Sequence, residues 1–166
     1  MLIDIIPPVK KLPIQKILLF SVFLNFGFCL FSHADDSFTF GGAKGAEVMS
    51  LWKEGKKSEA EGAVHRWMDE KKKSPEPWVF AAILEFEKEK YKHCVSYCDK
   101  AIEKGPQTAQ AYYWKGRALE ALKKYLEAAN EYRAALVIQK DYSDASVRLK
   151  GVQIILDGNS SQPTGK

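Results

Sequence analysis

Two cysteines four residues apart, Cys94 and Cys98, are the side chains best placed for chemistry. On a helix they share one face. A thiol pair so placed could form a disulfide, cycle between redox states or help to hold a metal. A disulfide needs its Cβ atoms about 3.8 Å apart, and helical neighbours at this spacing stand about 5–6 Å apart. A structural zinc needs four ligands, yet His93 precedes Cys94 and points off the shared face. Beyond residue 34 only His65 and His93 remain as histidines. Nucleophilic catalysis needs a base and an orienting group beside a Ser or Cys, and no such elbow is recognisable. Gly41, Gly42 and Gly45 do not match a phosphate-binding loop and fit a flexible entry to a helix. The expectation is that Cys94 and Cys98 are small apolar core residues, with no catalytic residue, no metal and no cofactor.

The elements that must carry these residues are read from the rest of the chain. Its 166 residues, 46% hydrophobic and 28% charged, suit one modest globular domain. Residues 1–34 carry Lys10, Lys11 and Lys16 against Asp4; the other 22 basic and 20 acidic residues alternate along the chain. Nucleic-acid binding needs a clustered positive face, and none is present. Lys71, Lys72 and Lys73 follow Asp69 and Glu70 and read as a solvated helix end, favoured by the helix dipole.

Lys10, Lys11 and Lys16 precede an apolar run over residues 17–31, interrupted by Ser21, Asn25 and Gly27. Ser32, His33 and Ala34 then place small residues at the first and third positions before a cut, and Asp35 and Asp36 follow. That three-part layout reads as a secretory signal peptide over residues 1–34, giving an exported, periplasmic or secreted protein. The alternative is an uncleaved anchor through residues 17–31, which would make the membrane a partner. A spanning helix needs about 20 apolar residues, so the run is short for that role. Bulky Phe28 before Cys29 disfavours lipidation, and no arginine pair precedes the run.

Residues 109–142 align under residues 75–108, 34 positions apart. Trp78 falls over Tyr112, Ala82 over Gly116, Tyr91 over Tyr125, Cys94 over Ala128, Cys98 over Tyr132 and Ala101 over Ala135. Small residues at 82, 94, 116 and 128 let helices approach closely, and Trp78 and Tyr112 would fill the gap between layers. Ala128, Tyr132, Ala135 and Leu136 recur at helical spacing. An upstream copy, residues 41–74, is degenerate. Leu51, Gly55 and Ala60 are in phase, but Lys57 stands for an aromatic and Trp67 for a small residue.

This pattern resembles the tetratricopeptide repeat (TPR) family, whose 34-residue unit is a helix pair with an aromatic early and small residues between. Pro106 also sits at the family's late proline. Lys115 replaces its usual Leu, Lys140 its usual Pro, and Cys98 its bulky aromatic. The resemblance implies an all-α, right-handed α-solenoid of about three helix pairs plus a C-terminal capping helix. Helices are expected over residues 43–54, 58–72, 75–88, 91–104, 109–122, 125–139 and 143–157. Glu54-Gly55 reads as a helix stop, and Ser58 with Glu61 as a capping box. The last helix, with Val147, Leu149, Val152, Ile154 and Ile155, would cover the final repeat, and Gly158 would end it. Residues 35–42 are a leader, 43–157 the repeat domain and 158–166 a polar tail, read as disordered.

The resemblance also implies that the first helix of each pair lines a concave groove. By position the groove takes Val79, Phe80, Ile83 and Phe86, then Tyr113, Trp114, Arg117 and Glu120, then Val147 and Arg148. Aromatics with Arg are common anchors of binding surfaces, although apolar residues at helical spacing also build cores. One family subtype grips acidic chain ends with Lys and Asn at positions that here hold Val79, Ile83, Tyr113 and Arg117, so that subtype is not expected. The reading is an exported scaffold or adaptor, not an enzyme, that binds a protein or peptide partner. The rival is a repeat module that only self-associates, which an apolar patch on the outer face or the cap helix would favour.

Overall fold

The computed structural model describes residues 40–160. The expected export segment (1–34), the leader up to residue 39 and residues 161–166 lie outside the described residues. Within them are seven α-helices: α1 (Gly42–Lys53), α2 (Lys57–Glu70), α3 (Glu76–Glu87), α4 (Tyr91–Lys104), α5 (Ala109–Ala121), α6 (Tyr125–Ile138) and α7 (Ser143–Ser160). No strand occurs among the described residues. Each helix packs on the next in the chain, and the first helices of successive pairs, α1 with α3 and α3 with α5, also touch. The architecture is an all-α helical-repeat solenoid.

The 34-residue period is visible in the backbone. The N–H groups of Lys56, Lys90 and Lys124 donate to the carbonyls of Leu51, Glu85 and Leu119, each at 2.9 Å. Gly55, Glu89 and Lys123 donate to Trp52, Phe86 and Glu120. Each set is the Schellman closure of a first helix, which satisfies two orphan carbonyls. It requires a left-handed residue, and Gly55 (φ 78°), Glu89 (φ 59°) and Lys123 (φ 61°) supply it. The degenerate first copy therefore keeps the repeat geometry although its side chains have drifted.

Close helix approach follows from small residues facing large ones. A Cβ on Gly116 would lie 2.7 Å from Tyr132 Cε1, so the tyrosine ring of α6 occupies the space that glycine leaves on α5. Phe80 does the same across the first junction: a Cβ on Gly41 or Gly45 would meet its ring at 2.6 or 2.5 Å. Phe40 stacks on Phe80 with centroids 6.2 Å apart, so the end of the leader is part of the packed body. Cys94, Cys98 and Ala101 of α4 and Ala128, Tyr132 and Ala135 of α6 are fully buried.

Two local expectations need correction. The Ser58–Glu61 capping box is not formed. Helix α2 begins at Lys57 with no side-chain cap, and Glu61 instead accepts from Lys88 Nζ at 2.9 Å. An inter-helix ion pair has claimed the carboxylate that the cap would have used. Gly158 does not end the last helix, which runs to Ser160. A glycine weakens an exposed helix by only about 1 kcal/mol relative to Ala and does not stop it alone.

Candidate functional site

The expected groove residues divide sharply. Val79 and Phe80 are 0% exposed, Ile83 2% and Tyr113 4%. These four are core, not groove, and their assignment to a binding surface is corrected. The reason is local packing. Phe80 fills the glycine notch of α1 and meets Trp67 at 5.3 Å. Val79 and Ile83 belong to the same buried cluster. Tyr113 is enclosed by Trp114, Tyr132 and Tyr142, with centroids 5.0–6.0 Å away. Val147 is the opposite case: it is 66% exposed, on the side of α7 away from its buried Ala145 and Val152.

The remaining five, Phe86, Trp114, Arg117, Glu120 and Arg148, come together. Phe86 ends α3, and Trp114, Arg117 and Glu120 lie on one side of α5 at i, i+3 and i+6. The Arg117 guanidinium carbon stands 4.4 Å from the Phe86 ring centre and 4.6 Å from that of Trp114. Phe86 and Trp114 meet edge to face at 5.4 Å, and Tyr91 packs on Phe86 at 5.3 Å. The guanidinium is thus seated on aromatic surfaces, an arrangement worth about 0.5–2 kcal/mol. No carboxylate among the described residues is ion-paired with it.

Beside it Glu120 is fully engaged. Tyr132 Oη donates to Glu120 Oε2 at 2.6 Å, and Arg148 Nη1 donates to Oε1 at 3.4 Å. Burial, then the neighbouring carboxylate, holds the Tyr132 phenol above its usual range. Burial alone would lower Arg148, but Glu120, Tyr113 and Tyr132 together outweigh it and raise the guanidinium above its usual value. Around these groups is an open depression of about 220 Å³, lined by Phe86, Arg117, Glu120, Ala121, Tyr125, Arg148 and Ile155. Ala121, Tyr125 and Ile155 were not anticipated. Tyr125 opens a second helix and Ile155 follows the expected stop of the groove set, so first-helix positions alone could not reveal those two; Ala121 is on the first helix α5, one residue beyond Glu120.

Cys94 and Cys98 are free and buried. Cys94 Sγ lies 3.8 Å from the Trp114 carbonyl, and burial pushes the Cys98 thiol well above its ordinary value. A thiol held protonated and out of solvent is a poor nucleophile, which counts strongly against the redox reading. No cluster of three or more metal-ligating side chains occurs among the described residues, and none of the described helices is long and apolar enough to cross a membrane.

No protein-family model matches the chain. Solved structures do. The first TPR domain of Spaghetti (RPAP3), bound to the HSP90 peptide SRMEEVD, is 25% identical, with a TM-score of 0.62 over 68% of this chain and 89% of that one. The first TPR domain of human RPAP3 is 24% identical, with a TM-score of 0.63 over 70% and 93%. The Sgt2 TPR domain from Aspergillus fumigatus is 12% identical, with a TM-score of 0.65 over 73% and 83%. The fold is that of a tetratricopeptide-repeat domain.

Proposed function

We propose that this chain is an exported, non-enzymatic TPR scaffold that binds a protein or peptide partner in the depression between α3, α5 and α7, with Arg117 as its anchor. The observation that carries the reading is the Arg117 guanidinium, seated on Phe86 and Trp114 with no carboxylate ion-paired to it among the described residues. A guanidinium recognises a carboxylate through two parallel hydrogen bonds, and the two ring contacts hold it in position beforehand. Phe86, Tyr125 and Ile155 supply apolar wall beside it. Peptide binding by the similar RPAP3 domain supports the class of partner. Its acidic tail is not carried over, because Val79, Ile83 and Tyr113 are buried and none is a Lys or Asn. Export rests on the basic and apolar segments of residues 10–34.

The test is in-cell crosslinking of the full chain from a photoreactive residue at Ala121, an exposed position lining the depression. Capture of a defined partner segment should fall about tenfold or more in an Arg117→Ala variant that melts as the parent does. Capture unchanged by that variant would remove Arg117 and the depression from the site. Mass spectrometry of the native chain separately reads export: a start at Asp35 supports a cleaved signal, and an intact residue 1 supports the anchor.

A further inference from the structure

The outer face of α7 is apolar and is not covered by any other described residue. Val147 is 66% and Ile154 73% exposed. Gly151 and Gly158 lie on the same face, and a Cβ added at either would meet nothing within 4 Å. With 3.6 residues per turn, positions 147, 151, 154 and 158 fall in a stripe roughly 60° wide. Their 4–3–4 spacing is that of a helix seam built for another helix. The stripe alternates a branched apolar side chain with a glycine, so it offers both knobs and holes.

We propose that this face pairs with the same face of a second copy of the chain, the two α7 helices running antiparallel about a twofold axis. A twofold contact is isologous: if position i meets j, then j meets i. One axis, placed midway between positions 152 and 153, sets Val147 against Gly158 of the second copy and Ile154 against Gly151, and both pairs recur by symmetry. No other placement of the axis gives each knob a glycine. A parallel pair would instead set glycine on glycine, leaving two voids, and Lys150 beside Lys150. Charge agrees with the antiparallel register. Lys150 and Asp157 are exposed on one flank of the stripe, and the axis brings each Lys150 within two residues of the level of Asp157 of the second copy. Asp157 Oδ1 accepts from Gln153 Nε2 at 3.0 Å within its own helix. Glycines in the seam allow the helix axes to approach closely. Three helical turns fall below the roughly 1,200 Å² of a standard interface, so this is a weak dimer that forms at high local concentration. The proposal does not depend on the groove, which uses Arg148 and Ile155 on the adjoining flank of α7.

Sedimentation equilibrium of the full chain over a wide concentration range tests it, with two variants outside the packed body. Gly151→Leu fills the hole and Ile154→Glu charges the knob. Each should weaken dimerisation by about tenfold or more, while melting is retained or, for Gly151→Leu, raised. Orientation is read by disulfide trapping: Val147→Cys combined with Gly158→Cys should link two copies on oxidation. Val147→Cys alone should not, since its two copies would sit about 16 Å apart along the axis. A chain that stays monomeric, a dimer indifferent to Gly151→Leu, or equally fast linkage by Val147→Cys alone would overturn the proposal. So would a monomer that binds phosphatidylglycerol vesicles and loses them with Ile154→Glu, which would assign the face to a lipid surface.

Discussion

The Tyr132 ring sits where the side chain of residue 116 would be. Gly116→Leu should therefore overpack the α5–α6 junction and cost about 1–3 kcal/mol, read by thermal or denaturant unfolding. An unchanged midpoint would mean that the ring moves freely, which its full burial contradicts. Buried acids make a second prediction at this scale. Burial raises Cys98 above its ordinary 9.0 and Tyr132 above its ordinary 10.0, and Tyr113 is raised likewise. The folded state then holds protons that the unfolded chain releases. Stability contributed by these groups is complete below pH about 9 and declines as pH climbs, by at most about 1.4 kcal/mol per pH unit for each group. Urea unfolding from pH 8 to 11 should show a decline that Cys98→Ala delays until the tyrosines take over near pH 10. Gly116 and the cysteines were readable as packed small residues because the repeat alignment fixes their register. The Tyr132–Glu120 bond was not, since twelve positions of separation match no local rule. Only the hydroxyl itself, on an aromatic expected to be buried, signalled that a partner was needed.

Periodicity carried the helices, because 34-residue spacing and 3.6-residue spacing agree on where each turn must fall. What escaped was the detail of helix ends. Ser58 and Glu61 have the composition of a cap, yet Glu61 pairs with Lys88 from the next helix pair, a tertiary competitor that no local pattern contains. The converse also occurs: Glu89 and Lys123 hold left-handed conformations that their residue types do not advertise. Such a conformation costs a non-glycine residue roughly 1–2 kcal/mol, part of which glycine returns as lost backbone entropy. Glu89→Gly and Lys123→Gly should each leave stability unchanged or raise it by up to about 1 kcal/mol, and the pair should add, since the sites lie in separate turns. Differential melting curves of the two single variants and the double variant check both points. A loss above 1 kcal/mol in either single variant would show that the side chain contributes more than the backbone strain removes.

Across the whole molecule the fold was legible and the surface was not. A repeat register predicts which residues face a neighbouring helix, but exposure depends on what lies across the gap. Phe80 became core because Gly41 and Gly45 leave room for it and Phe40 covers it. Tyr113 became core because Tyr142 lies over it. Arg117 and Trp114 stay half-buried at the surface, where they pack on Phe86 and Tyr113 and Arg117 borders the open depression. The last helix closes the array, burying Ala145 and Val152 against the last pair's tyrosine cluster. Deleting residues 143–160 should expose Tyr113 and Tyr132 and lower the melting temperature by more than about 10 °C. Circular dichroism of the shortened chain measures this, and a shift of only a few degrees would show that α7 is an appendage.

The left-handed turns at 55, 89 and 123 have a further consequence. Because they recur at one interval with the same pair of hydrogen bonds, they act as a ruler, and the chain can change length only in whole divisions of it. A second copy of residues 109–142 inserted after Tyr142 would meet α7 with the face that α7 already covers, and the longer array should melt higher as each unit adds its own stability and one more junction. A copy four residues shorter would present the wrong face at every later junction and should not fold cooperatively. Growth by quantised increments, with both ends preserved, is built into the turn geometry itself.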